Sequence, residues 1–164
     1  MPAVVVDSSV LISLAAGEVF HLLRDFYSTI YIPPEVWQEV ISSPKPFGLK
    51  ETQQAATDGW LIVQKPQTSR QIDDLPFSLD RGEAEALALA LEFPESLLLV
   101  DDFQGRRAAK ILGIKFTGTL GVLLRAKSEG KIAALRPILE LLGQRTKFWL
   151  SSAVYDTALK QAGE

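Results

Sequence analysis

The sequence predicts an α/β fold, a three-layer α/β/α sandwich around a mainly parallel central sheet of about five strands, and three observations carry that expectation. Short apolar runs without polar alternation, above all Val4-Val5-Val6 and Leu97-Leu98-Leu99-Val100, fit strands covered on both faces. Helical segments separate the runs, so each strand would return to the sheet through a right-handed crossover. Both named runs end in acids, Asp7 and the pair Asp101-Asp102. The fold would set those acids at the carboxyl edge of the sheet, where open α/β sheets bind ligands.

Composition bounds the rest. With 164 residues, 47% of them hydrophobic, the chain is expected to form a single domain over residues 1–164. It has no cysteine, which excludes disulfides and thiolate metal sites and fits a reducing compartment. The amino terminus has no basic segment and places an acid in its apolar run, unlike a secretory signal. No stretch approaches the ~18 uninterrupted apolar residues of a membrane span. A soluble, cytoplasmic protein with no membrane partner is expected. The net charge of −3 conceals an asymmetry: residues 1–105 hold 6 Lys/Arg against 16 Asp/Glu, whereas residues 106–147 hold 10 against 2. A metal site beside a phosphate-binding surface would look like this, and so would a basic solvated face.

Taken in order, the first strand Val4-Val5-Val6 leads through Asp7-Ser8-Ser9 into an apolar helix from Val10 to Ala16, stopped by Gly17. Near-helical spacing of Val19, Phe20, Leu22, Leu23 and Phe26 predicts a second helix over Glu18 to Phe26. Thr29 to Ile32 is a second strand, and Pro33-Pro34 opens a helix that carries Glu35 and Glu39, because proline suits a first helical turn. The segment Ser42-Ser43-Pro44-Lys45-Pro46 ends it. A polar helix from Leu49 to Asp58 precedes a third strand, Trp60 to Val63, and the polar stretch Lys65 to Pro76 is a loop with at most one helical turn. Ser78 to Phe93, rich in Ala and Leu, is a helix with Asp80-Arg81-Gly82-Glu83 at its start. After the fourth strand come a helix from Gln104 to Leu112, a fifth strand from Ile114 to Thr117, and a helix capped by Thr119 that runs to Glu129. Helices over Ile132 to Leu142 and Ser151 to Ala162 complete the chain.

On such a sheet Asp7 and Asp101 end strands, while Glu39 and Glu83 ride helices whose amino termini face the same edge, so four distant acids converge. Carboxylates forced together raise one another's pKa unless a cation neutralises them. With oxygen donors and no cysteine, that cation is Mg²⁺ or Mn²⁺. A few of these carboxylates would hold it with waters retained, and it could activate a water and stabilise the charge of a phosphodiester transition state.

Each acid also has a plainer use. Asp7 can cap the helix that follows. Glu39 can be an ordinary surface glutamate, one turn beyond Glu35. Glu83, three residues after Asp80, fits a capping box. Glu85 lies about 200° around the helix from Glu83, on a face shared with Glu92 that is expected to be solvated, which favours Glu83. Asp101, nearer the strand, is the preferred ligand of its pair, and Asp102 is a candidate fifth ligand. Ser9 and Thr119 can bond substrate or a metal-site water, although capping suffices for both. Arg106, Arg107, Lys110 and Arg125 are candidate phosphate contacts, chosen because they follow the site in sequence.

These motifs, in order and across nearly the whole chain, resemble those of the PIN-domain family. Val4-Val5-Val6-Asp7-Ser8-Ser9 is similar to its first motif, Pro33-Pro34-Glu35-Val36-Trp37-Gln38-Glu39 to its second, Glu83-Ala84-Glu85-Ala86-Leu87 to its third, and Leu99-Val100-Asp101-Asp102 to its fourth. The Gly-Glu-Ala-Glu-Ala and Asp-Asp forms resemble most a PIN-like branch of unassigned function that is similar to VapC-type toxins. The resemblance implies a metal-dependent single-stranded endoribonuclease, the toxin of a type II toxin–antitoxin pair and a homodimer, with Asp7, Glu39, Glu83 and Asp101 as its acids. Its implied partners are single-stranded RNA and a small antitoxin protein. The chain departs from the toxin pattern where the third acid is commonly Asp and where Asp-Phe follows the fourth motif at a slightly different spacing. Two other classes stay open: a catalytically weak PIN-like interaction module, and another Mg²⁺-dependent phosphoryl enzyme such as a Toprim or receiver domain. Against the latter, no Asp-x-Asp is present for a Toprim site, and Lys115 falls inside a strand rather than after it.

Overall fold

The computed structural model describes residues 2–44 and 46–164. Met1, and Lys45 in the turn expected after the third helix, lie outside the described residues. Five strands are found among the described residues: β1 (Val4–Val6), β2 (Ile30–Ile32), β3 (Leu61–Val63), β4 (Leu97–Leu99) and β5 (Lys115–Thr117). All pair in parallel, in the order β3-β2-β1-β4-β5. The wholly apolar β1 and β4 are central and adjacent, as strands without polar alternation must be. At the edges, Lys115 of β5 and Ile62 and Val63 of β3 are exposed.

Ten helices connect and cover these strands: α1 (Ser8–Ala16), α2 (Leu22–Tyr27), α3 (Pro34–Ile41), α4 (Leu49–Thr57), α5 (Arg70–Asp73), α6 (Arg81–Glu92), α7 (Phe103–Ile111), α8 (Thr119–Ser128), α9 (Arg136–Arg145) and α10 (Ser152–Gln161), counted among the described residues. Leu11 and Leu14 of α1, Leu87 and Leu89 of α6 and Leu123 of α8 bury completely in one continuous core with the strands. No described helix is long and apolar enough to cross a membrane.

Several boundaries differ from expectation; the helix expected from Ser78 begins at Arg81, after its Asp80 cap, the one expected to end at Leu142 runs on to Arg145, and three others have a clear local reason. The helix expected from Glu18 begins only at Leu22, because Glu18 takes a left-handed φ of 61° that turns the chain after α1. The helix expected from Ile132 begins at Arg136. There Pro137 tolerates a first-turn place, and the Glu164 carboxylate accepts the Leu135 and Arg136 backbone N–H groups at 2.6 and 3.0 Å. Finally, α1 starts at Ser8, two residues early, which turns Ser8 rather than Ser9 toward the acids.

Candidate active site

The strand order reverses between β1 and β4, since β2 and β3 lie to one side and β5 to the other. This is the switch point at which an open α/β sheet leaves a crevice beyond its carboxyl edge. Val6 pairs with Leu99, and the Asp7 N–H donates to the Leu99 carbonyl at 2.9 Å, so Asp7 stands level with Val100 and Asp101 follows one residue further out on the neighbouring strand.

Asp7 occupies the N-cap position of α1, yet its side chain accepts no capping bond. The carboxyl is 3% exposed and its Oδ1 is buried without a hydrogen-bond partner. Capping alone therefore does not account for it. Burial pushes Asp7 up to about 7; the Ser8 backbone N–H opposes this, and the negative charges of Glu39, Asp80 and Asp101 reinforce it.

Glu39 reaches the crevice because α3 packs against the start of α6. The Ser8 hydroxyl donates to Glu39 Oε2 at 2.7 Å. Glu39 Oε1 rests against Gly82, where a Cβ would overlap it. Burial raises the Glu39 pKa, the Ser8 hydroxyl and Gly82 N–H lower it, and Asp80 and Glu35 raise it. The α6 cap is Asp80, whose Oδ1 accepts the Glu83 N–H at 2.8 Å. Glu83 is 9% exposed and lies against the first turn of α7. Burial, then the charges of Asp80, Asp102 and Asp7, push it up to about 9.

Asp101 is held from the far side. The Thr119 N–H donates to its Oδ1 at 2.7 Å and the Thr119 hydroxyl to its Oδ2 at 2.6 Å. Gly118, where a Cβ would collide with Asp101 Oδ1, permits that approach.

The structure thus sets Asp7 in the field of Glu39 and Asp101, with Glu83 in turn in the field of Asp7, and adds Asp80, which the sequence marked only as a cap. Other candidates take different places. Asp102 caps α7, its Oδ2 accepting the Gln104 and Gly105 N–H groups at 2.9 and 3.1 Å. Thr119 is fully buried and positions Asp101 instead of facing substrate. Ser9 Oγ is buried without a partner. The Arg106 guanidinium lies against Gly118, beside Asp101, and over the Phe116 ring. Arg107 stacks on Phe77 with 4.4 Å to the ring centroid. Lys110 is exposed in the last turn of α7, about 10 Å along the axis from its start. Arg125 does not belong to the site. Because α8 runs back against the strand direction, it carries Arg125 to the amino-terminal edge of the sheet, where it stacks on Phe26 and pairs with Glu129.

Glu85 also departs from the solvated role expected of it. Its Oε2 accepts the Glu35 N–H at 3.1 Å, so α6 satisfies the amino terminus of α3. The sequence signal was the proline-opened helix itself, whose unpaired amides need an acceptor from elsewhere.

The donor set suits a hard divalent ion: buried carboxylate oxygens, one of them unpartnered, and carboxyls that burial and mutual repulsion hold partly protonated. Among the described residues no three acids stand close enough to form a ready cage. Mg²⁺ does not require one, because it keeps several waters and uses one or two carboxylates.

The family model DUF3368, described as a PIN domain, matches residues 3–164. The chain belongs to the PIN-domain family. PIN domains are generally nucleases and typically use divalent metals, and the acids of this PIN domain lie at the edge such chemistry needs. Among solved structures it is similar to a PilT N-terminus domain protein from the hyperthermophilic archaeon Sulfolobus solfataricus P2. The two share 19% identity over 90% of this chain and 97% of that one, with a TM-score of 0.48. No curated protein matches it.

Proposed function

We propose that this PIN domain is an Mg²⁺- or Mn²⁺-dependent endoribonuclease that cleaves single-stranded RNA. The carrying observation is that the adjacent strands β1 and β4 run out at the switch point into Asp7 and, two residues past Leu99, Asp101, whose charge acts on Asp7, with Asp7 Oδ1 buried and unpartnered. Asp7, Glu39 and Asp101 would hold the ion, and Glu83 would complete the shell or orient the water. The bound ion would lower the pKa of that water and offset charge developing on the phosphodiester. The chain's own part is positional: Ser8 and Gly82 fix Glu39, Thr119 fixes Asp101, and the β1/β4 pairing sets the separation between the two aspartates.

The cellular role that fits this activity is the toxin of a type II toxin–antitoxin pair, acting in the cytoplasm as a homodimer held by a small antitoxin. Support for that part comes from the motif resemblance alone. A second reading, a catalytically weak interaction module, draws support from the two Asp101 oxygens, both already engaged by Thr119.

Incubation of wild type and Asp7→Asn with single-stranded RNA and Mn²⁺ separates these readings. Cleavage is expected from wild type alone and should stop with EDTA. Cleavage that survives both the substitution and the chelator would sink the proposal, and no cleavage by wild type would favour the module. Growth arrest on expression, relieved by the product of an adjoining small reading frame, tests the toxin role.

A further inference from the structure

Phe103 is the first residue of α7, two residues beyond Asp101, and it is 76% exposed. A phenylalanine so exposed gains nothing from the core, and its place is fixed rather than incidental. Asp102 pins the turn by accepting the Gln104 and Gly105 N–H groups, which fixes the backbone of Phe103 in the first turn of α7, directly after the acids. One helical turn on, Arg107 shares its face and lays its guanidinium over the Phe77 ring at 4.4 Å. Two flat groups, Phe103 and the Arg107–Phe77 stack, therefore lie one turn apart along α7, with Phe103 at the end that follows Asp101 and Asp102. Arg106 sits beside Asp101, and Arg106, Arg107 and Lys110 make this helix the basic border of an acidic site.

We propose that Phe103, continued by the Arg107–Phe77 stack, is a base-stacking platform that grips an unpaired nucleobase next to the phosphodiester at the acidic crevice. This rests on the nuclease reading and adds a determinant of its single-strand preference. An aromatic ring offers a face to any base without reading its edge, and a base inside a duplex has no free face to give it. The cationic side chains on the same helix complement the phosphates of the strand, whereas a purely apolar protein partner would leave them unpaired. Phe103 contacts the substrate base and takes no part in the bond-breaking step.

Binding is measured on the full chain carrying Asp7→Asn, with a short single-stranded RNA containing 2-aminopurine, so that it is independent of cleavage. Stacking on Phe103 should quench the fluorophore. Adding Phe103→Ala should abolish the quench and weaken binding about 10- to 100-fold, while Phe103→Trp should retain both. In the otherwise wild-type chain, Phe103→Ala should raise KM with kcat changed only a few-fold, and the preference for single strands over duplex should shrink. Unchanged affinity and quenching in Phe103→Ala would overturn the platform. So would a drop in oligomeric mass, or loss of a copurifying protein, at unchanged RNA affinity, since Phe103 would then be a protein contact. Phe103-dependent binding without wild-type cleavage would remove only the nuclease reading, and cleavage with an unaltered KM would remove only the platform. Absence of any RNA binding overturns both.

Discussion

A methyl group at position 82 would meet the Glu39 carboxylate, because Oε1 occupies the space a Cβ needs. In an exposed helix Gly→Ala gains about 1 kcal/mol. Here that gain opposes the displacement of an acid, so Gly82→Ala should leave the melting temperature within a few degrees while reducing Mn²⁺-dependent cleavage at least ~10-fold. A melting curve and a cleavage assay on one preparation check both halves. Asp7 and Glu83 carry most of the pH dependence, and Glu39, also raised by burial, acts in the same direction. Both are raised by burial, so the ion-free folded state binds more protons than the unfolded chain between pH 3.8 and about 7 for Asp7, and between 4.5 and about 9 for Glu83. Stability of EDTA-treated protein is therefore full below pH 4 as far as these groups are concerned, and it falls as pH rises through those windows. Asp7→Asn should remove the lower part of the slope and stabilise the ion-free protein at pH 8 by about 1–2 kcal/mol, read from urea unfolding at pH 5 and 8. A slope unchanged by Asp7→Asn would show that Asp7 titrates normally. At this scale the four acids were legible because each ends an apolar run or rides a helix that opens at the ligand edge. Ser8 was not, because Ser8 and Ser9 point about 100° apart once helical, and which of them faces the acids depends on α1 starting at Ser8 instead of Val10.

Helices reach the site in pairs, and the pairing of α3 with α6 was only half visible. Proline at the start of α3 announced a helix, but not that Glu85 of α6 would accept the Glu35 N–H. That bond ties the two helices one turn away from the Glu39–Gly82 contact. Glu85→Ala should cost about 1 kcal/mol, as loss of a helix cap does, and should also loosen Glu39. The discriminating measurement is metal affinity: it should weaken several-fold in Glu85→Ala and remain unchanged in Glu92→Ala, whose carboxylate accepts the Gln67 N–H on an exposed surface. Thr119 acts in the same way for Asp101. Thr119→Val keeps the shape and the backbone donor but removes the hydroxyl bond, so a loss of about 1–2 kcal/mol is expected together with weaker metal binding. The expected helix starts at Glu18 and Ile132 failed for one shared reason. Apolar spacing reports which side chains are buried, whereas the left-handed turn at Glu18 and the distant Glu164 cap decide where the backbone begins to coil.

Across the whole molecule, the basic segment proved to be several structures rather than one surface. Arg106 and Arg107 border the crevice, but Arg125 lies at the opposite edge of the sheet, Lys127 donates to the Ala133 carbonyl, and Arg145 donates to the Ala16 carbonyl and Glu18. Sequence proximity could not divide them, because each helix runs back along the sheet and carries its far end away from the ligand edge. The acidic half, in contrast, converges, and its convergence couples folding to ion binding. Buried carboxyls cost stability when they ionise near one another, and a cation that takes the place of their protons offsets that charge, so binding should release protons and strengthen with pH. Free Mn²⁺ at about 100 times its Kd should stabilise the fold by about 2.7 kcal/mol. At a fixed Mn²⁺ concentration the gain should be larger at pH 8 than at pH 6, because at pH 6 the ion must first displace the Asp7 and Glu83 protons. Urea unfolding with Mn²⁺ or EDTA at the two pH values measures it, and proton release into weak buffer gives an independent reading. Asp7→Asn should lose most of the Mn²⁺ effect. An equal gain in wild type and Asp7→Asn would place the ion elsewhere on the molecule, leaving the buried acids without the counter-charge their arrangement calls for.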